Sequence, residues 1–311
     1  MSTAPGAAQS EALGQALAEA IRPFDVPAAD VAPLLAAYDA VCRDDGLRRW
    51  VASAAGALRA AMGHPSPGPT LGRRPDAPTE VARYLPVLVL ADVLPDMRAH
   101  HRSLGVAQDV TAATLADVGR MLVRNRVWEG EPGLGDELAG WLTRHLHGAL
   151  FEVGRLQYER LVLGEGLGAE LRMSGFPCGP GDLTLNLHIP DTGARLDPEA
   201  VGASLTAART FFRRRFRDER PVGMTCHSWL LDPQLADYLS ADSNVVAFQR
   251  RFTLGLPRAE DGDLSVRKFV FGDWAAPVRS LPQRTRLEKA VVRHLRAGRH
   301  WQVRSGWLPM G

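Results

Sequence analysis

Hydrophobic and polar residues follow two different patterns along this chain. From about residue 11 to 150, apolar residues recur at the spacing of one helix face, as in TEVARYLPVLVLADVLPDMRAHHRSLG. From residue 151 to 311, short stretches of strict alternation lie between helical ones. The pattern predicts an α+β protein with an all-helical N-terminal domain over 11–150. A C-terminal domain over 151–311 is predicted to hold a mixed, mostly antiparallel sheet flanked by helices, and residues 1–10 are predicted to form a disordered tail.

The segment 183–189, LTLNLHI, is the clearest strand of the second half. Side chains alternate between the two faces of a strand. One face carries Leu183, Leu185, Leu187 and Ile189, and the other carries Thr184, Asn186 and His188. We expect the first face to join the core and the second to meet a ligand.

A helix is predicted to follow this strand, over 198–216. Asp197 is the predicted N-cap and Pro198 the first helical residue, a combination typical of helix starts. The free backbone N–H groups of a helix N-terminus favour a phosphate or another anion. The turn 190–197 is therefore predicted to be a ligand cradle, with an ordinary strand-to-helix connection as the alternative.

Other elements are predicted from shorter patterns. GAELRMSG and VRKFVFG read as strands, and VGMTCHSWLL reads as a central, doubly covered strand. PQLADYL, SNVVAFQRRF and RTRLEKAVVRHLRAG read as helices, the last one ended by Gly298. The Gly- and Pro-rich stretch 63–78 is predicted to be a long surface loop.

Composition narrows the class of protein. With 45% apolar residues and a net charge of +2, the chain is expected to be globular and not to bind nucleic acid. Its three cysteines are Cys42, Cys178 and Cys226, which suggest neither a disulfide framework nor a metal site and fit a reducing cytoplasm. The longest apolar run is interrupted by Pro86 and Pro95, so no membrane association is expected.

The C-terminal half resembles the GCN5-related N-acyltransferases (GNAT). More narrowly, the chain is similar to bacterial acyltransferase-like proteins that pair a helical N-terminal domain with a GNAT-like C-terminal domain. The segments that carry the resemblance are FEVGRLQYERL at 151–161, LNLHIPDTGARLDPEA at 185–200, TCHSWLLDPQLADYLSADSNVVAFQRRF at 225–252 and LPQRTRLEKAVVRHLRAGRHW at 281–301. The resemblance implies a GNAT-like sheet and an acyl-coenzyme A (acyl-CoA) co-substrate, whose pantetheine arm lies between two splayed strands.

The resemblance also implies which residues hold coenzyme A. The pyrophosphate would lie at the strand-to-helix turn, on Ile189, Thr192, Gly193, Ala194, Arg195 and Asp197. Ordinary GNAT enzymes carry a Q/R-x-x-G-x-G/A signature at this place. Here the turn is PDTGAR, with a single glycine, so the sequence departs from the pattern at the phosphate site.

Acyl transfer to an amine needs a base, a group that stabilises the oxyanion and an acid for the leaving thiolate. His188 is the first candidate for the base, since imidazole titrates near neutral pH. Glu159 and His227 are the alternatives. Tyr238 is the candidate acid by approximate position in the GNAT pattern.

The functional prediction is an acyl-CoA-dependent N-acyltransferase that acts on a small amine and uses no metal. A catalytically inactive GNAT-like binding or interaction protein is the alternative. A second alternative is a thiol hydrolase that uses Cys226 as nucleophile. The sequence leaves the oligomeric state open.

Overall fold

The structure of the protein is a computed structural model that describes residues 17–310. The predicted tail at residues 1–10 lies outside the described residues. The chain divides into two compact units, with the boundary between Glu152 and Val153. Among residues 17–310, no helix combines the length and the apolar character that a membrane crossing requires.

The N-terminal unit is helical, as predicted. After a 3₁₀ turn at Arg22–Phe24, its helices are α1 Ala28–Arg43, α2 Asp45–Ala60, α3 Thr79–Ala82, α4 Leu85–Ser103, α5 Gln108–Glu129 and α6 Asp136–Leu146. The predicted loop 63–78 contains no helix and joins α2 to α3. Helix α4 is the central element, because its apolar first half is buried on all sides and it packs against α1, α2, α5 and α6.

A buried polar network holds α5 and α6 of this unit together. Asp117 accepts hydrogen bonds from Trp141 Nε1 at 3.0 Å and from Arg120 Nε at 2.7 Å, and one of its carboxylate oxygens lies 3.0 Å from His145 Nε2. Burial alone would raise the pKa of the Asp117 carboxyl, but the hydrogen bond and charge of His145, with Arg120, bring the net pKa well below its usual range. Asp117 is therefore an ionised carboxylate, held in the helical core by Arg120 and Trp141.

A six-stranded sheet begins at Leu150, just before the boundary between the units. Its strands are β1 Leu150–Val153, β2 Leu156–Val162, β3 Leu183–His188, β4 Met224–Ser228, β5 Thr253–Asp261 and β6 Gln302–Leu308. The helices of the C-terminal unit are α7 Glu165–Met173, α8 Pro198–Arg215, α9 Asn244–Gln249, α10 Gly262–Phe271 and α11 Arg286–Arg296. Shorter 3₁₀ helices lie at Trp229–Leu231, Pro233–Asp237 and Val278–Ser280.

The strands of the sheet run in the order β1-β2-β3-β4-β6-β5. The pairs β2/β3, β4/β6 and β5/β6 are antiparallel, and only β3/β4 is parallel within the described pairing. The sequence prediction of a mixed, mostly antiparallel sheet flanked by helices is therefore confirmed.

The two parallel strands separate soon after they meet. Their register consists of two residue pairs, Leu185 with Met224 and Asn186 with Thr225. Strand β3 then continues to His188 and β4 to Ser228, with no further pair between them in the described pairing. A gap therefore opens between the carboxyl ends of two neighbouring strands, and nine residues separate the end of β3 from the start of α8.

Two predicted strands are helices in the structure. GAELRMSG falls mostly in α7, because Glu, Ala, Leu, Arg and Met are all strong helix formers. A Cβ on Gly168 of this helix would lie 2.3 Å from the backbone of Pro180, so glycine permits its close packing.

VRKFVFG belongs to α10, although its alternating β-branched and aromatic residues are typical of a strand. The Asp261 side chain caps this helix by accepting a hydrogen bond from Leu264 N, and Gly272 ends it at φ 71°. The strand VGMTCHSWLL is shorter than predicted, because Ser228 caps the following 3₁₀ turn. PQLADYL forms a 3₁₀ helix, whereas SNVVAFQRRF and RTRLEKAVVRHLRAG contain α-helices as predicted.

Candidate active site

The central strands have one apolar and one polar face. Tyr158 lies opposite Leu187, and Leu185 lies opposite Met224, so these side chains share a face. Helix α8 covers this face, since its Ser204 hydroxyl is 2.9 Å from the hydroxyl of Tyr158. The predicted apolar face of β3 is therefore core.

The other face carries a hydrogen-bonded cluster on β2, β3 and β4. His188 Nε2 lies 2.9 Å from Glu159 Oε2. The Asn186 side-chain nitrogen lies 3.2 Å from His188 Nε2 and 3.4 Å from Glu159 Oε2. Thr225 donates to Asn186 Oδ1 at 3.3 Å. The structure thus brings together His188 and Glu159, which the sequence offered as separate candidates for the base.

The hydrogen bonds assign the proton on His188. A carboxylate accepts hydrogen bonds only, so His188 donates through Nε2 to Glu159 and carries its lone pair on Nδ1. The Glu159 side chain is 4% exposed, whereas that of His188 is 25% exposed. The pair therefore combines a buried acceptor with an imidazole that solvent can reach.

His227 lies on the same polar face, on β4. Its Nδ1 is 2.9 Å from Ser305 Oγ on the neighbouring strand β6. Burial lowers the pKa of His227 to about 3, and the positive charge of Arg258 acts in the same direction. His227 is therefore a neutral imidazole at physiological pH, unlike a base that cycles through its charged form.

One arginine holds the turn that follows β3 through three hydrogen bonds. Arg155 donates to the carbonyl oxygens of Pro190 at 3.2 Å, Ala194 at 2.9 Å and Arg195 at 3.0 Å. Gly193 has φ 71°, a left-handed conformation that glycine adopts without strain. The guanidinium fixes the shape of the turn and brings a positive charge to it.

Several predicted phosphate donors already have partners in this turn. The N–H of Thr192 donates to Pro190 O at 3.0 Å, and that of Ala194 donates to the Thr192 hydroxyl at 3.3 Å. The Asp197 carboxylate caps α8 by accepting from the N–H groups of Glu199 and Ala200. The predicted N-cap is confirmed, and it occupies N–H groups of the first helical turn.

Two sequence candidates lie outside the cluster. The Tyr238 hydroxyl is 3.1 Å from His294 Nδ1 and 3.3 Å from an Arg299 nitrogen, and no described hydrogen bond joins it to Glu159 or His188. Cys226 is 2% exposed on the α8 side of the sheet, and burial raises the pKa of its thiol to about 12. A protonated, enclosed thiol is a poor nucleophile, so the structure gives the hydrolase alternative no support.

Two family models match the chain over these same regions. The N-acyltransferase N-terminal domain matches residues 15–148, and the GNAT-like C-terminal domain matches residues 150–308. The chain belongs to this N-acyltransferase family with a GNAT-like C-terminal domain. A search of curated proteins finds no match.

The chain is also similar to solved structures of acyltransferases. An acyltransferase mutant in complex with octanoyl-CoA is 32% identical, with a TM-score of 0.83 over 96% of this chain and 88% of that chain. An acyltransferase in complex with decanoyl-CoA is 34% identical, with a TM-score of 0.80 over 99% of this chain and 90% of that one. A third, in complex with decanoyl-CoA and teicoplanin, is 32% identical, with a TM-score of 0.80 over the same shares.

Several residues of this site carry no clear signal in the sequence. Strand alternation puts Asn186 on the polar face, but only the pairing of β2 with β3 shows that its amide donates to the Glu159 carboxylate beside His188. Arg155 and Ser305 come from distant segments and carry no motif. Within residues 17–310, no group of three or more His, Cys, Asp or Glu side chains is arranged to hold a metal ion.

Proposed function

We propose that this protein transfers the acyl group of an acyl-CoA to an amine, with His188 as the general base. One observation carries the proposal. The Glu159–His188 pair lies on the polar face of the sheet, at the level where β3 and β4 separate. A substrate in this gap would meet an imidazole whose lone pair is oriented by a buried carboxylate.

The reaction follows from this arrangement. The amine nitrogen attacks the thioester carbonyl carbon, a C–N bond forms, and the carbonyl electrons move to oxygen. His188 Nδ1 accepts one proton from the nitrogen. The oxyanion then re-forms the carbonyl and the C–S bond breaks. The proton taken up by His188 passes, through solvent, to the leaving thiolate, so that the base is regenerated and the products are an amide and coenzyme A.

Glu159 is a positioning residue in this mechanism. Its hydrogen bond at 2.9 Å fixes the ring orientation and the tautomer of His188. Once His188 has gained a proton, the carboxylate stabilises the resulting imidazolium. Asn186 and Thr225 hold the carboxylate in place, because Thr225 donates to the Asn186 amide oxygen and the amide nitrogen donates to Glu159.

The turn after β3 is the proposed site of the coenzyme A pyrophosphate. Its backbone runs from Ile189 through Thr192, Gly193, Ala194 and Arg195 to Asp197, and the turn is exposed over most of its length. Arg155 and Arg195 supply positive charge there. Because the Asp197 carboxylate caps the helix, the proposed phosphate site uses the turn and its arginines more than the first turn of α8.

The acyl acceptor is proposed to be an amine borne by a large molecule of the glycopeptide class. The support is that a relative 32% identical over almost the whole chain is bound to teicoplanin, and related structures hold octanoyl- or decanoyl-CoA. A medium-length fatty acyl group is the corresponding donor. The small amine expected from the sequence is the competing acceptor and belongs in the same screen.

Calorimetric titration with decanoyl-CoA tests the donor site. A ligand that binds only the folded protein stabilises it by about 2.7 kcal/mol at a hundredfold excess over the dissociation constant. We expect saturable binding and a raised melting temperature, both weakened by Gly193→Asp, which adds a charge and a strained side chain to the turn. Gly72→Asp is a matched control, since Gly72 also has a positive φ and open space around its Cβ.

The enzymatic arm then follows thiol release with decanoyl-CoA and each amine. Saturable release with an amine supports the transferase. Tight thioester binding without release from any amine would favour the binding-protein alternative. No thioester binding at all would overturn the proposed donor site.

A further inference from the structure

A second histidine faces the gap from the opposite strand. Strands β3 and β4 are parallel, with Asn186 opposite Thr225, so His188 and His227 are counterparts two residues further along each strand. Both lie on the polar face of the sheet. His227 Nε2 is buried, and none of the described residues forms a hydrogen bond with it.

The surroundings of His227 determine which ring nitrogen carries its proton. Arg258 forms an ion pair with the Glu170 carboxylate at 3.2 Å. Ser305 Oγ donates its single proton to the same Glu170 oxygen at 3.3 Å. The hydroxyl must therefore accept from His227 Nδ1, 2.9 Å away, so Nδ1 holds the proton and Nε2 has the lone pair.

We propose that His227 Nε2 accepts a hydrogen bond from the acyl acceptor's amino group and orients that group for attack. The relay through Ser305, Glu170 and Arg258 holds His227 in the tautomer that accepts. The proposal rests on the proposed function, because it assigns a second acceptor to the same site.

The chemistry of the attacking group explains why two acceptors are useful. A neutral primary amine has two N–H bonds and one lone pair. If one N–H points to His188 Nδ1 and the other to His227 Nε2, the lone pair points away from both rings, toward the thioester. His188 takes its proton during the reaction, whereas the depressed pKa of His227 keeps this ring neutral, as an acceptor throughout.

The tautomer can be measured without any substrate. In ¹⁵N-histidine-labelled protein at pH 7, the NMR spectrum should show His227 with a protonated Nδ1 and a bare Nε2. Glu170→Gln places an amide donor next to Ser305, so that the hydroxyl can donate to Nδ1, and it should shift the proton toward Nε2. Glu165→Gln, an exposed change on the same helix α7, should leave the spectrum of His227 unchanged.

Kinetics test the contact with the acceptor. A lost hydrogen bond of about 1 kcal/mol corresponds to about fivefold in kcat/KM, and more if a buried N–H is left unpaired. His227→Leu should lower kcat/KM for the amine at least about fivefold, with the affinity for decanoyl-CoA unchanged. His227→Gln, which keeps an acceptor oxygen near the Nε2 position, should recover part of the loss.

Two results would overturn the inference. One is a wild-type His227 that is protonated at Nε2 or at both nitrogens at pH 7. The other is a His227→Leu defect that falls on the thioester and not on the amine. If the wild type transfers no acyl group, the proposed function fails, and the NMR result still decides whether the relay sets the tautomer. If His227→Leu does not fold, kcat/KM for the amine and the affinity for decanoyl-CoA are measured on Glu170→Gln instead.

Discussion

Two histidine–carboxylate pairs in this protein have nearly the same nitrogen–oxygen distance and very different surroundings. His145 and Asp117 are 3.0 Å apart in the helical unit, and His188 and Glu159 are 2.9 Å apart on the sheet. Both side chains of the first pair are buried, His145 at 0% and Asp117 at 1% exposure. In the second pair, His188 is 25% exposed. Exposure of the imidazole, and not the presence of a nearby carboxylate, therefore distinguishes the candidate catalytic pair from the structural one.

The partners of the two carboxylates differ in the same way. Asp117 already accepts hydrogen bonds from the Arg120 cation and from Trp141, with His145 beside it. Glu159 has a neutral amide, Asn186, beside the imidazole. Glu159 can therefore stabilise an imidazolium that forms on His188 during a reaction, whereas Asp117 already pairs with the Arg120 cation.

The largest expected effect is that of His188→Gln on turnover. Loss of a general base lowers the rate by about 10²–10⁴-fold, so thiol release in the presence of an amine should fall by that factor. The melting temperature and the affinity for decanoyl-CoA should change little, because the side chain is partly exposed. His64→Gln, an exposed histidine in the loop 63–78, is the control and should retain full turnover.

Asp117→Asn should lower the stability of the protein and leave its turnover intact, the reverse of His188→Gln. It removes a buried charge from a network of cationic and donor groups, so we expect unfolding in urea to require about 3 kcal/mol less. The folded fraction should keep its turnover. Asp109→Asn, exposed in the first turn of the same helix, should cost less than about 1 kcal/mol. A stable Asp117→Asn with low turnover would contradict the division of roles.

The same variant has a defined pH dependence. The folded-state pKa of Asp117 is depressed, so its contribution is fully present above the unfolded value, about 3.9, and is lost as pH falls through the folded value. The difference in unfolding free energy between wild type and Asp117→Asn should thus be constant from pH 7 to 5 and shrink below about pH 4. Urea titrations at several pH values measure it, and a difference that grows on acidification would refute the assignment.

Glu159→Gln should have a smaller effect than His188→Gln. Glutamine still accepts from His188 Nε2, so the tautomer survives while the negative charge is lost. A hydrogen bond to a charged group contributes about 1.5–3 kcal/mol, so turnover should fall by about ten- to a hundredfold. Kinetics at saturating decanoyl-CoA give the value, and a loss as large as that of His188→Gln would show that Glu159 is itself the base.

The smallest effect is expected at Cys226. Cys226→Ser should leave turnover nearly unchanged, since the thiol is buried on the opposite face from His188. In the wild type, iodoacetamide should label Cys226 far more slowly than Cys42, which is partly exposed. Mass spectrometry after brief labelling follows both sites, and rapid labelling of Cys226 with loss of activity would return the hydrolase to consideration.

The sequence predicted the parts of this site that depend on local pattern. Alternation along β3 placed His188 and Asn186 on one face, and the Asp-Pro pair marked the start of α8 correctly. The contact between Glu159 and His188 depends on the register of β2 with β3, which no local pattern encodes. Ser305 reaches His227 only because β6 inserts between β4 and β5, a long-range choice of strand order.

The failures have a similar origin. GAELRMSG and VRKFVFG contain enough alternating apolar residues to imitate strands, and their helices are decided by caps and by packing. In α7 this error mattered for the site, because Glu170 reaches Ser305 from a helix. A strand in its place would have put that carboxylate elsewhere.

The most direct test of the central claim is a crystal structure with a non-hydrolysable thioether analogue of decanoyl-CoA. We expect the pantetheine arm to lie in the gap where β3 and β4 separate. The pyrophosphate should lie against the turn 190–197, and the acyl carbonyl beside the imidazole of His188. An analogue bound elsewhere, with His188 and Glu159 out of its reach, would contradict the assignment of the site.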